Sequence, residues 1–488
     1  LILGVFLLGT QSAFFGPAKY AYLPEQLKSS ELVMGNALVE SATFMAILLG
    51  TIAAGSLMSQ EAGDVAVYIV CGFGFLVALL GVYQAQRMPL TPSHSPDLKV
   101  NWNLFTETWR NVSFATNLPK VWPALLGISW LWFVGATYLT QFPLLSKTLL
   151  NASPGVATVL LFAFTVGLGI GAFLCEKWSR KRIEMGLVLW GLVVMILAGV
   201  LLHGVLVAYQ TNPDQQTVVE FFSQLNNLAV LGLFVLISVG VGLYSVPLYA
   251  TMQAFAPKES RSRVVSANNI INSFFMVVSA GFAIAILLAM KGEVLWVFTA
   301  VTAINVVVLG LWLFKQPYVV LRAQLLLKVP GKQLPRIENM DHLGDSGGNL
   351  IVFPTLLHEN YLQRMAGLPI EMTVVLSGRL KQSRFVNRLR KHGFVLEFSK
   401  LSEIDTQKEL IKAIASHIQQ GRSIAIDKPM FELLRKQYRL DDMPGVLAKK
   451  GVVMNVLEFM EEQVQQKVQK SAISQTVWRL NKREALTA

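Results

Sequence analysis

Charge is scarce in this chain. Of its 488 residues only 15% are charged, against ~25% in an ordinary soluble domain, while 53% are hydrophobic and the mean hydropathy is +0.49. That balance excludes a soluble fold for most of the chain and points to a polytopic membrane protein. Cysteine is nearly absent too: Cys71 and Cys175 both fall inside apolar stretches, which excludes a disulfide framework and a Cys/His metal site. We expect no metal and no cofactor. There is no basic run with interleaved aromatics, so the net charge of +12 argues for the inner side of a membrane and against nucleic acid as a partner. No G-x-S-x-G elbow, P-loop or G-x-G-x-x-G turn is found, which leaves hydrolase, NTPase and dinucleotide chemistry without support.

What is present is a series of apolar runs. A helix needs about 20 apolar residues to cross a bilayer core, and nine runs meet that need: 1–17, 36–58, 65–86, 121–146, 155–176, 183–208, 226–252, 265–290 and 293–315. The run opening on Leu1 has no methionine or polar lead-in and reads as a fragment cut within a hairpin of spans. One set of connecting loops holds Lys19, Lys28, Arg87, Lys99, Arg110, Lys120, Lys177, Arg180, Lys181, Arg182, Lys258, Arg261 and Arg263. The alternate set holds little beyond Lys147 and Lys291, with Glu61, Asp64, Asp214 and Glu220. By the positive-inside rule the first set faces the cytoplasm, and so does everything after the last span. Within the longest loop, "NWNLFTETWRNVSFATNL" places Trp102, Leu104, Phe105, Trp109 and Phe114 at partly helical spacing. That is the pattern of a helix in the membrane interface, or of a plain linker between two halves of a bundle.

Ionisable and amide groups inside spans carry more information, because a charge at the bilayer centre costs roughly 2.5–3.5 kcal/mol on insertion scales. Glu40 lies one turn after Asn36 on the same helical face and is expected to face the bundle interior. Asn268, Asn269 and Asn272, and Gln141 in "YLTQFP", either stitch helices together or line a polar path. In "FFGPAKYAYLPEQL", Pro17 is expected to end the first helix, Lys19 to sit at headgroup level, and Tyr20 and Tyr22 to act as interfacial aromatics.

In "GIGAFLCEKWSRKRIE", Gly171 is followed by Glu176 and then by the cluster Arg180, Lys181 and Arg182 leading into the next span. This resembles the cytoplasmic loop signature of the major facilitator superfamily: a glycine for close helix approach, a carboxylate that pairs or caps in one conformation, and a basic cluster. "FFGPAKYAYLPEQL", "GNALVESATFMAILLGTIAAG", "GISWLWFVGATYLTQFP" and "RSRVVSANNIINSFFMVVSAG" are similar to segments of the bacterial lysophospholipid transporters, a branch of that superfamily. The resemblance implies an all-α bundle, here starting at the family's fourth helix. It also implies lysophospholipid or a related amphiphile as the substrate, a location in the bacterial inner membrane, and contact with membrane lipids. Lys19 would then meet a lipid phosphate or simply anchor the helix. A separate acyltransferase or acyl-ACP synthetase is an implied partner.

After about residue 316 the pattern changes. "NLIVFP", "EMTVVLS", "HGFVLEFS", "SIAIDK" and "GVVMNVLEF" read as strands, with helices expected at 360–366, 380–391, 405–419 and 430–438. We divide the chain into a membrane domain at 1–316, a linker at 317–335 and an α/β cytoplasmic domain at 336–488, whose end "MEEQVQQKVQKSAISQTVWRLNKREALTA" is expected to be a polar helix and frayed end. The tail resembles the glycerolipid acyltransferases, which rely on H-x-x-x-x-D. None of the six histidines here has an aspartate at that spacing, and the expected positions fall on Pro354 and Glu359. The tail is therefore expected to be catalytically inert, with His358 as the one nearby imidazole. The "GDSGG" at 344–348 lacks the double barrel a protease would need and reads as a glycine-rich loop. The leading reading is a lysophospholipid transporter with an inactive acyltransferase-like tail. The alternatives are a membrane-tethered acyltransferase and a facilitator for another amphiphile.

Overall fold

The computed structural model describes residues 2–27, 31–57, 63–89, 103–179, 183–257 and 260–328, and beyond them 336–338, 348–353, 372–376, 395–397, 423–428, 454–468, 471–482 and single positions between 409 and 434. By its contacts the chain divides into two units, Leu1–Phe314 and Lys315–Ala488.

The first unit is helical. Its long helices are α1 (Ile2–Gln26), α2 (Leu32–Leu57), α3 (Gly63–Ala85), α5 (Val121–Thr148), α6 (Pro154–Ser179), α7 (Gly186–Val207), α9 (Leu225–Phe255), α10 (Arg261–Ala289) and α11 (Leu295–Lys315), with the short α4 (Leu104–Thr116) and α8 (Val218–Ser223) between them. These nine long helices fall where the apolar runs lie. Among the described residues seven helices, α3 from Val67 onward and α5, α6, α7, α9, α10 and α11, are long and apolar enough to cross a membrane. α1, which carries Lys19 and Glu25, and α2, which carries Asn36 and Glu40, stand outside that count.

One expectation fails within α1. The helix does not end at Pro17 but runs on to Gln26. A proline removes one backbone donor, and apolar bundles tolerate it where neighbouring helices hold the freed carbonyl region. Tyr20 is consequently buried against another helix rather than sitting at an interface, with only 6% of its surface exposed.

The core of the unit lies where α6 and α7 pack on α9. A side chain at Gly191 would meet the Gly240 carbonyl at 2.6 Å and the Tyr244 amide nitrogen at 2.7 Å, and one at Gly242 would meet the Leu168 carbonyl at 2.6 Å. Gly171 lies directly against the backbone of Val239. Small residues at these positions let backbones touch, which is how apolar helices associate where water supplies no driving force. The aromatic centre is built from Tyr138, Phe142, Phe164, Phe234 and Phe298, with ring centroids 5.0–6.0 Å apart.

At the end of the bundle where α5 leads to α6 and α7 to α9, two loops are sewn together. Asn151, at φ 42°, donates from its side chain to the Asn212 carbonyl at 2.9 Å. Gln216 donates to the Leu150 carbonyl at 2.9 Å and accepts from Asn227 at 2.7 Å, and Tyr209 donates to Asn227 at 2.6 Å.

In the second unit, α12 (Pro317–Lys328) occupies most of the stretch expected as a linker. Strands β1 (Arg336–Glu338), β2 (Gly348–Phe353), β3 (Met372–Leu376), β4 (Val395–Glu397), β5 (Ser423–Asp427), β6 (Met454–Val468) and β7 (Ser471–Lys482) form one sheet in the order β1-β7-β6-β2-β5-β3-β4. All neighbours are parallel except β6 with β7, which pair antiparallel from Leu457 opposite Lys482 to Val468 opposite Ser471. β2 to β6 each overlap one of the five expected strand segments. The expected polar helix at the carboxyl end is instead the β6 and β7 hairpin, whose ladder satisfies the backbone groups that a helix would have satisfied internally. Pro354, His358, Glu359, the residues 344–347 of the glycine-rich loop and the helices expected at 360–366 and 380–391 lie outside the described residues.

Candidate functional site

The helices of the first unit fall into two groups in chain order, α1 to α3 and α5 to α11, joined through α4. Where α1 and α2 meet α9 and α10, polar and aromatic side chains cross from one group to the other. This seam is the candidate site.

At its mouth the Arg261 guanidinium, at the start of α10, donates to the Glu25 carboxylate near the end of α1 at 2.6 Å. The arginine side chain is 7% exposed and the glutamate 23%. A charge-assisted bond that is mostly shielded from water is worth more than the same pair on a surface. One layer deeper, Asn36 on α2 and Gln253 on α9 exchange both amide bonds: Asn36 Nδ2 donates to Gln253 Oε1 at 2.7 Å, and Gln253 Nε2 donates back to Asn36 Oδ1 at 2.9 Å. Both residues are fully buried, so each amide satisfies the other where no water would. Beside them Tyr20 of α1 stacks on Tyr249 of α9, centroids 5.1 Å apart and planes 11° from parallel.

The Tyr249 hydroxyl in turn accepts from Trp132 Nε1 at 2.9 Å, which leads into the amide cluster of the second group. There Ser129 Oγ lies 2.8 Å from the Asn272 amide. In the amide orientation that satisfies both of its ends, Asn272 also donates to the Asn268 carbonyl and accepts from Asn268 Nδ2 at 3.0 Å. Asn268 Oδ1 is buried without a partner, and Gln141 Oε1, further along α5, is buried in the same condition. Asn269 faces the other way: its side-chain nitrogen sits over Gly16 of α1, where a Cβ would come within 2.6 Å. A side chain at position 16 would push the Asn269 amide aside.

The residues singled out in the sequence are therefore divided. Asn36, Asn268, Asn269 and Asn272 come together along or behind the seam, and Gln141 lies apart from them. Lys19 turns toward α2, its Nζ 3.4 Å from Thr43 Oγ1 and 4.6 Å from the Tyr20 ring centroid. Glu40 is on α2, one turn beyond Asn36, and its side chain lies outside the described residues. Of the loop motif, Gly171 is a packing glycine against α9 and Glu176 is half-buried near the end of α6, while Arg180, Lys181 and Arg182 lie outside the described residues. Glu184, just past that loop, is buried and accepts from the Gly186 amide at 3.2 Å. Gln253, Glu25, Tyr249 and Trp132 were not picked out from the sequence, and Arg261 was read only as one of the basic residues that set orientation. Their partners lie as far as 236 residues away in the chain, and no local pattern marks them.

Apolar helices that mostly suffice to cross a bilayer, in two groups with a polar seam between them, mark a multi-pass membrane protein of the transporter class. The chain belongs to the Major Facilitator Superfamily, whose family model matches residues 1–280. It is similar to the "Lysophospholipid transporter LplT" of Escherichia coli O1:K1 / APEC, with 26% identity over 321 residues, covering 64% of this chain and 73% of that protein. The proteins of the same name from Shigella sonnei (strain Ss046) and Escherichia coli (strain K12 / DH10B) match with the same identity and coverage.

Proposed function

We propose that this protein moves lysophospholipids across the bacterial inner membrane, and that the seam between α1–α2 and α9–α10 is the gate at its cytoplasmic end. The observation that carries the reading is the reciprocal pair of Asn36 and Gln253 beneath the ion pair of Glu25 and Arg261. Directional bonds at the mouth of the seam, beside the apolar packing of α2 on α6, can break and re-form without unpacking the core of either group. Alternating access of that kind places a substrate site between the groups. The similarity to the lysophospholipid transporters supports the substrate class. A single-chain lipid suits a gate of this kind, because its headgroup needs a polar path while its acyl chain stays among apolar helix faces. Glu40, four residues after Asn36 on α2, is our candidate to meet a headgroup amine, and Lys19 a candidate for its phosphate; Gln141, Asn268, Asn269 and Asn272 would supply neutral donors and acceptors. The basic residues at the ends of α1, α3 and α6 and the starts of α5 and α10 support a cytoplasmic placement of that end.

The division into a membrane domain and a tail from about residue 336 is part of the same proposal. We read the tail as an acyltransferase-like scaffold without the catalytic pair, facing the cytoplasm, supported by its parallel strands and by the lack of any H-x-x-x-x-D. The test is to reconstitute the full-length protein in liposomes and follow flipping of fluorescent lysophosphatidylethanolamine, with Glu40→Gln and Gln253→Leu in parallel and acyl transfer assayed on the same vesicles. Flipping that both variants reduce, without acylation, is the expected result. Acylation without flipping would overturn the reading.

A further inference from the structure

The segment joining the two helix groups holds α4, a helix of 13 residues that crosses no membrane. Asn103 caps it, accepting from the Thr106 amide at 3.1 Å, and Arg110 pairs with Glu107 at 3.0 Å. One side is held: Ala115 is buried and the Arg263 guanidinium of α10 lies 5.4 Å from the Phe114 ring centroid. The other side is bare. Phe105 and Trp109, one turn apart and so on one face, are 89% and 76% exposed.

Exposed aromatics of that size are ordinary on a span that faces lipid and costly on a helix in water. Of the four cation-aromatic pairs among the described residues, Arg87 with Tyr83, Lys120 with Phe255 and Arg263 with Phe114 stand at the same end of the bundle, and Lys19 with the buried Tyr20 lies inward of it. Direct contacts tie that end into one rim. The Tyr22 hydroxyl of α1 donates to the Pro89 carbonyl just past α3 at 3.2 Å, Glu25 of α1 meets Arg261 of α10, and α10 meets α4. A rim of cations and aromatic rings at one end of membrane helices is the composition of the headgroup layer of a bilayer.

We propose that α4 lies in the plane of the membrane surface, with Phe105 and Trp109 inserted at the boundary between headgroups and acyl chains, and Arg110 set to meet the phosphate of anionic lipid. The occupant of the bare face is the protein's own bilayer. Thr106, exposed and about 60° round the helix from Trp109 on the side of Arg110, sits at headgroup level in this arrangement, shallower than the two rings.

The experiment uses the full chain in nanodiscs, with Cys71 and Cys175 replaced and single cysteines introduced as Phe105→Cys, Trp109→Cys and Thr106→Cys, each labelled with bimane. Lipids brominated near the top of the acyl chain should quench positions 105 and 109 about threefold more than 106. Raising phosphatidylglycerol in phosphatidylcholine discs should deepen quenching at 105, and Arg110→Gln should abolish that response. Equal quenching at all three positions, or none at 105 and 109, would overturn the insertion. Quenching indifferent to phosphatidylglycerol would overturn the assignment to anionic lipid.

Discussion

Removing the charge from Glu25 should open the seam. Glu25→Gln keeps the shape of the side chain and leaves the Arg261 guanidinium, 7% exposed, facing a neutral amide. An exposed ion pair is worth about 0–1 kcal/mol, and truncating one partner of a fully buried pair costs about 3–5 kcal/mol. With the arginine buried and the glutamate 23% exposed, the loss here should be about 2 kcal/mol, or roughly a 30-fold shift toward the form in which the seam is parted. Spin labels at Gln26→Cys and Ser262→Cys, both exposed at the ends of α1 and α10, report the separation by double electron-electron resonance once Cys71 and Cys175 are replaced. In the parent protein a single short distance should dominate. In Glu25→Gln a longer component should grow, and the exchanged pair Glu25→Arg with Arg261→Glu should reverse that growth. An unchanged distance distribution in Glu25→Gln would refute the claim that this ion pair holds the two groups together.

Two further outcomes follow from the packing and the caps. Gly191→Val should lower the melting temperature sharply, because its side chain would enter the Gly240 carbonyl and overpacking against backbone costs about 1–3 kcal/mol or more; Gly281→Val, where nothing lies within 4 Å, should melt like the parent. Glu220 is held below the usual carboxylate range by the Thr217 amide and then by the Thr217 hydroxyl, which close the box that starts α8. A lowered pKa means that this contribution is present above the unfolded value of about 4.3 and fades as pH falls through the folded one. Hydrogen exchange across 217–223 should therefore quicken on acidification in the parent and be flat with pH in Glu220→Gln, once intrinsic exchange rates are allowed for.

The helices were legible because each needs only its own composition: an apolar run of sufficient length fixes where a span lies, whatever it packs against. Their ends were less so. Pro17 looked like a stop because propensity says so, yet tertiary packing on α9 and α10 carries α1 through it. The amide at Asn36 could be read as interior from its place on the α2 face, but its partner Gln253 is 217 residues away, just beyond the end of the apolar run that defined α9. Pairing across such a distance leaves no periodic trace. The contacts of Lys19 with Thr43 and the Tyr20 ring were not legible for the same reason. At the carboxyl end the glutamine-rich segment had helix-forming residues, and a neighbouring strand decided otherwise.

The sewn loops around Gln216 sit at the end opposite the seam. With Asn151, Tyr209 and Asn227 they tie α5, α6, α7 and α9 at one pole, while the glycine contacts bind α6 and α7 to α9 along their length. Those helices consequently form one chassis, and in the gating proposed above it is α1 and α2 that would move against it. A rigid tag placed among residues 211–217 would ride on that chassis without loading the joint, which makes this pole the fixed reference from which any opening of the other can be measured.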